Sequence, residues 1–244
     1  ADTSEINGKP YLPIFISESI SDYYYRKSPR SEKEVINAVQ VSGVENESVM
    51  EFFGTMFQKY SIYDNYIELF QKNFISPIAD NGLSHYKYYL VDSAYCNNKL
   101  CFKIEIKPKR KQEFNFTGHF WVHDSTFAIK SFEIRIADDA NINYINDIVL
   151  SQEFDQVDGK QWMVVKDRGI GDFNILKKNK RTLGFFGRQT TTYRNFIFND
   201  PKDSKFYSLP TDVIVAEKAY NKEENFWEEN RPENANRRFI IGPQ

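Results

Sequence analysis

Hydrophobic and polar residues alternate most regularly between Phe114 and His123. Even positions carry Phe114, Phe116, Gly118, Phe120 and Val122, and odd positions carry Asn115, Thr117, His119, Trp121 and His123. A period of two is that of a half-buried strand. Phe102, Ile104 and Ile106 alternate in the same way with Lys103, Glu105 and Lys107, so neighbouring strands each have an apolar and a polar face. Residues 84–138 therefore read as four consecutive antiparallel strands joined by tight turns. Further strands are predicted over 144–156, 160–177 and 181–199, with Asp158-Gly159 as a hairpin signal between the first two.

Ahead of this sheet the pattern changes. Residues 11–26 read as an extended arm or first strand, with Ile14 and Ile16 alternating and Pro13 at an edge or delaying the start. Ser28-Pro29 opens a predicted helix over 29–43, with Ser31 and Glu34 as a capping pair and Gly43 as its stop. Val35, Ala38, Val39 and Ser42 would share its inner face. A second helix is predicted over 48–60, and its stripe of Phe52, Phe53, Met56, Phe57 and Tyr60 needs a large apolar surface to pack on. A third, short helix is predicted over 63–71. The fold class expected is α+β: a curved antiparallel sheet with N-terminal helices on its concave face. Its domain would span 15–219, between a linker at 1–14 and a polar linker at 220–244.

Composition agrees with a globular, strand-rich chain. Of 244 residues, 41% are hydrophobic and 16% aromatic, with 21 Phe and 15 Tyr, which is enough for a sizeable core. The net charge of −2 supplies no field that would draw the chain to nucleic acid or to an anionic membrane. The basic run 107–111 falls where a hairpin turns and reads as solvated. No apolar run approaches the ~20 residues of a membrane helix. A basic-then-apolar signal segment is also missing from the start, so the sequence reads as a mature form, a trimmed form or a cytosolic protein.

Cys96 and Cys101 bracket Asn97 to Leu100, and a two-residue turn at Asn98-Lys99 would set them opposite each other. Both a cross-strand disulfide and two free thiols fit that spacing. A metal site needs more ligands than this pair. His119 and His123 lie on one strand, roughly 13 Å apart at about 3.3 Å per residue, too far to share a metal without further ligands. Nucleophile-elbow, zinc-protease, phosphate-loop and dinucleotide motifs are absent from the sequence. Arg168-Gly169-Ile170-Gly171-Asp172 reads as a bulge or kink in a long strand. The acidic pairs Asp138-Asp139, Glu223-Glu224 and Glu228-Glu229 read as solvated charge. No catalytic residue, cofactor or metal is expected. The aromatics Tyr23, Tyr24, Tyr25, Tyr86, Tyr88, Tyr89, Trp121 and Trp162 would serve core packing first, with a sugar platform or a lipid pocket as alternatives. The sequons at Asn46 and Asn115 are weak, and the second lies within a predicted strand.

Several stretches carry a resemblance: FISESISDYYYR (15–26), VSGV (41–44), YDNYI (63–67), FISPI (74–78), YKYYL (86–90), FKIEIKPKRK (102–111), GHFWVHDSTFAIK (118–130) and FWEENRP (226–232). Together they make the chain, over about 15–232, similar to a Bacteroidetes family of uncharacterised envelope proteins. Members of that family join a carboxypeptidase-regulatory-like sandwich to a region of unknown function that ends in an outer-membrane barrel. The strand pattern also resembles the LolA/LolB type of lipoprotein carrier, in which helices plug an incomplete barrel and an acyl chain binds between them. The resemblance implies the periplasmic side of the outer membrane, a neighbouring barrel in the same full-length chain, and a setting that permits a Cys96–Cys101 bridge.

The function expected is a non-enzymatic module that binds an acyl chain, a lipoprotein or a protein segment, with no nucleic-acid partner. Phe52, Phe102, Ile104, Phe114, Phe116, Phe120 and Phe132 would line its groove. One alternative is a structural or interaction scaffold with a self-filled core. Another is a carbohydrate-binding domain with Trp121 or Trp162 exposed beside a carboxylate.

Overall fold

The computed structural model describes residues 2–3, 10–11, 15–43, 59–140, 142–143, 145–159, 161–178 and 181–231. Along the chain the strands are β1 (Asp2–Thr3), β2 (Pro10–Tyr11), β3 (Phe15–Arg26), β4 (Ser31–Gly43), β5 (Tyr66–Leu69) and β6 (Lys72–Ile75). They continue as β7 (Tyr86–Cys96), β8 (Lys99–Pro108), β9 (Phe116–His123), β10 (Ile129–Ile136), β11 (Ile145–Val157), β12 (Gln161–Lys178), β13 (Arg181–Thr192) and β14 (Val213–Val215). Described residues up to 12 and from 45 to 194 belong to one compact unit, and those of 13–44 and 195–239 to a second.

In the first unit β7 to β13 form one antiparallel sheet in which each strand pairs with its successor. The sheet is open: β7 and β13 are its edges. One row of directly opposed residues crosses all seven strands as Leu90, Ile104, Phe120, Phe132, Gln152, Asp167 and Thr191. The neighbouring row, on the other face, runs Tyr89, Glu105, His119, Glu133, Ser151, Arg168 and Thr190. The alternation of the sequence is thus carried across the sheet as one largely apolar and one polar face. The meander over 84–138 and the three strands after it stand as expected, though the last ends at Thr192. Asp158 and Gly159 both take positive φ, the backbone a two-residue hairpin turn requires. The Gly169 and Gly171 segment is no bulge, because residues 167–172 pair without a shift and the irregularities flank them.

The helix expected over 63–71 is instead a hairpin, β5 pairing with β6. Its turn is Phe70-Gln71, both at positive φ, without the Gly or Asn that marks such turns in a sequence. Residues 59–60 are not helical, and the rest of the helix expected over 48–60 lies outside the described residues.

In the second unit the helix expected over 29–43 is also a strand. β4 pairs with β3 from Arg26–Ser31 to Phe15–Gly43, and with β14 in parallel. Val35, Ile36, Val39 and Val41 are β-branched and favour this outcome, and a long partner strand settles it. The residues read as a capping pair bond elsewhere: Ser31 donates to the Tyr207 carbonyl, and the Glu34 amide donates to the Asp212 carbonyl. Lys33, buried within this sheet, donates to the carbonyls of Leu209 and Thr211 and to the Asp212 carboxylate. A helix over Glu224–Asn230 buries Trp227, and Arg231 ends it with a bidentate pair to Glu18 on β3. The expected N-terminal helices are therefore not what accompanies either sheet in the described residues.

Candidate functional site

The residues expected to line a groove do share a region of the first unit. Phe102, Ile104, Phe120 and Phe132 come from adjacent strands of the apolar face, with Phe114 and Phe116 at one end of it. Phe52 lies outside the described residues. Phe116, Phe120 and Phe132 are 0%, 4% and 2% exposed, while Phe102, Ile104 and Phe114 are half-buried.

The chain itself supplies the cover. Residues 59–75 pass over this face, and their aromatic rings meet those of the sheet at centroid separations of 5.0–6.5 Å. Phe74 lies on Phe116 and Phe114, Tyr60 on Phe132, Tyr63 on Phe154, and Phe70 on Phe173. Phenols tie the cover down, and Tyr63 accepts the Ile129 amide of β10 at 3.4 Å. The Tyr60 hydroxyl donates to Asp167 at 3.3 Å. Burial raises the Asp167 carboxyl, against the lowering effect of hydrogen bonds from Gln152, Tyr60 and the Arg168 amide. The Tyr86 hydroxyl donates to the Ile75 carbonyl of β6 and accepts the Phe116 amide of β9. The sequence showed these aromatics as core formers but not this placement, because the covering segment was read as helical.

A second cluster gathers where three hairpins turn at one end of the sheet. The first turn is Asn97-Asn98, both at positive φ, which sets Cys96 opposite Lys99 and Cys101 opposite Ala94. The turn lies one residue earlier than expected, so the cysteines are not directly opposed and the register differs by two residues. Both cysteines are free thiols and lie close enough to share a hydrogen bond. Burial first, and then the neighbouring Cys96, push the Cys101 thiol up to about 11. His123 stands opposite Cys101 and packs on Trp162 at 5.5 Å. Lys99 and Lys130 lie over the same indole at 4.8 and 6.0 Å, and Lys103 lies over Trp121 at 5.8 Å. Both tryptophans are half-buried and carry cations on their rings.

At the other end of the sheet Glu113 receives His85 at 3.1 Å, Arg110 at 3.0 Å and Asn115 at 3.0 Å. The His85 hydrogen bond first, and then that of Arg110, hold Glu113 down at about 2. Asn115 itself is fully buried, so the second sequon is closed to modification in the folded chain. A depression of about 410 Å³ lies beside this cluster, lined by Gln112, Asp138, Asp139 and Asp147 among others. Its polar lining is unlike that of an acyl groove.

His119 lies between Glu105 and Glu133 in the polar row, and burial is the first cause that lowers it. Among the described residues no group of three or more His, Cys, Asp and Glu side chains is placed to hold a metal ion. Nor is any helix among them long and apolar enough to cross a membrane.

Compared with known proteins, residues 6–196 match the model of a family described only as one of unknown function. No curated protein and no solved structure matches.

Proposed function

The chain belongs to the family of unknown function DUF5686, and on that footing we propose that it is a non-enzymatic interaction scaffold whose sheet is filled by its own chain. The observation that carries this reading is Phe74 seated on Phe116, with ring centroids 5.0 Å apart and both side chains at 0% exposure. In a half-barrel of the lipoprotein-carrier type, an acyl chain would take the place that Tyr60, Tyr63 and Phe74 hold here. Aromatic pairs of this kind contribute about 0.5–1.5 kcal/mol each beyond the area they bury, so displacing the cover is costly. The work of such a unit is then to present its outer surfaces to another protein. The envelope setting, beside an outer-membrane barrel of the same full-length chain, is part of the proposal.

Native mass spectrometry of the purified chain before and after organic extraction tests it, together with titration of an environment-sensitive fatty-acyl probe. The scaffold reading expects one unchanged mass and no saturable probe binding. Mass lost on extraction, with saturable binding, would overturn it in favour of a lipid or lipoprotein carrier.

A further inference from the structure

The edge strand β7 differs from the rest of the sheet. It has eleven residues and, among the described residues, pairs on one side only, with β8. Proteins usually blunt such an edge with charge, proline or brevity, because its free backbone groups accept another strand. β7 exposes Tyr89, Leu90, Val91 and Tyr95, with Leu90 at 70% and Tyr95 at 76%, along with the polar Lys87, Asp92 and Ser93. None of the four hydrophobic side chains lies on a turn, so their exposure is not a by-product of a loop tip.

We propose that β7 is a docking edge that pairs with an extended segment of a partner protein, one that alternates apolar and acidic residues. The strand edge specifies extended backbone, since an extended backbone fits the spacing of free groups along it. Leu90, Val91 and Tyr95 specify apolar partners. The charge beside the edge specifies the acidic ones. Lys87 stands opposite Lys107 in the β7–β8 ladder, and the basic run to Lys111 follows at the same end. Glu105 offsets Lys107 at 3.2 Å and Glu113 offsets Arg110 at 3.0 Å, and the excess of cations stays with Lys87, Lys109 and Lys111. The bulge at Val91 marks where the paired stretch changes face, so the Tyr86–Leu90 half, next to the lysines, is the half that receives the acidic residues. This inference rests on the scaffold reading and names the surface through which the scaffold acts.

The test is hydrogen exchange of the whole chain with two synthetic heptapeptides, one alternating Glu and Val and one alternating Lys and Val. Saturable slowing of exchange confined to residues 86–96, with the glutamate peptide binding about tenfold tighter than the lysine peptide, is the expected result. The double variant L90S/Y95S, altered only at exposed positions, should abolish the slowing while leaving unfolding unchanged. No slowing at 86–96, slowing elsewhere, or equal response to both peptides would overturn the proposal. Parallel acyl-probe titration separates the two readings. An unprotected β7 without probe binding removes the edge alone, whereas a protected β7 with probe binding removes the filled sheet alone.

Discussion

The phenol of Tyr86 accepts the backbone N–H of Phe116 at 3.0 Å and, through its own proton, bonds the carbonyl of Ile75. One side chain thereby joins the first strand of the meander, its third strand and the covering hairpin. Because it is buried, neither backbone group has water as a substitute. Tyr86→Phe keeps the ring and removes only the oxygen, leaving one donor and one acceptor unpaired. We expect a loss of about 1–3 kcal/mol, read as a lower urea midpoint with unchanged slope.

Gly118 occupies a position that no side chain fits. Its φ is +140°, and a Cβ built there would lie 2.2 Å from the Glu133 carbonyl oxygen and 2.9 Å from the Ile134 Cα. Both obstacles are backbone of the neighbouring strand β10 and cannot swing aside. Gly118→Ala should cost about 3 kcal/mol, from strain at that φ and from overpacking. Unfolding monitored through Trp121 and Trp162, the tryptophans of the first unit, gives the measurement.

Alternation alone made most of the seven-stranded sheet legible, because a period-two pattern fixes both strand and face once a partner lies next in sequence. The pattern failed where two periods coincide. Val35, Ala38, Val39 and Ser42 satisfy helical spacing, yet Val35, Ile36, Val39 and Val41 equally suit a strand. The choice lay with β3 and β14, the latter about 180 positions away along the chain. The covering hairpin was hidden for a different reason. Its turn residues, Phe70 and Gln71, adopt positive φ without the usual turn chemistry, so tertiary packing of Phe70 on Phe173 dictates a turn that local sequence does not announce. Alternation thus put Phe102, Ile104, Phe120 and Phe132 on a single face of the sheet, while what covers that face was not legible.

Lys33 anchors the second unit in a way that composition conceals. Its ammonium is enclosed by the Leu209 and Thr211 carbonyls at 2.6 and 2.9 Å and by the Asp212 carboxylate at 2.9 Å. Lys33→Met retains the apolar stem and removes the three donors, so the loop entering β14 loses these side-chain ties to β4 and keeps the Glu34–Asp212 backbone bond. A loss of about 2 kcal/mol is expected. The emission of Trp227, buried in this unit, should report it as an earlier transition.

Glu113 gives the fold a signature in acid. The hydrogen bond from His85, then that from Arg110, with Asn115 adding a third, hold its carboxyl at about 2. An unfolded chain releases that proton near the ordinary value of about 4.3. Stability from this carboxylate is thus complete above the unfolded value and is lost as pH falls from there through about 2. Glu113→Gln should lower stability at neutral pH and flatten its decline between about pH 4.5 and 2. Urea midpoints across that window, for both proteins, decide it, and parallel curves would remove Glu113 as the cause.

The seat of Phe74 on Phe116 is where stability and function meet. Truncating a buried phenylalanine leaves a cavity as well as lost contacts, and costs of about 3–5 kcal/mol are usual. Phe74→Ala would leave Phe116 and Phe114 facing an apolar void beneath the β5–β6 hairpin. Apolar cavities of this kind stay dry and accept apolar guests. If the sheet is filled by its own chain, the wild-type protein ignores a fatty-acyl probe while Phe74→Ala gains saturable binding and is restored in midpoint by it. Should the wild-type chain already bind the probe and the variant bind no better, the cover is not what excludes the ligand. The carrier reading would then replace the scaffold.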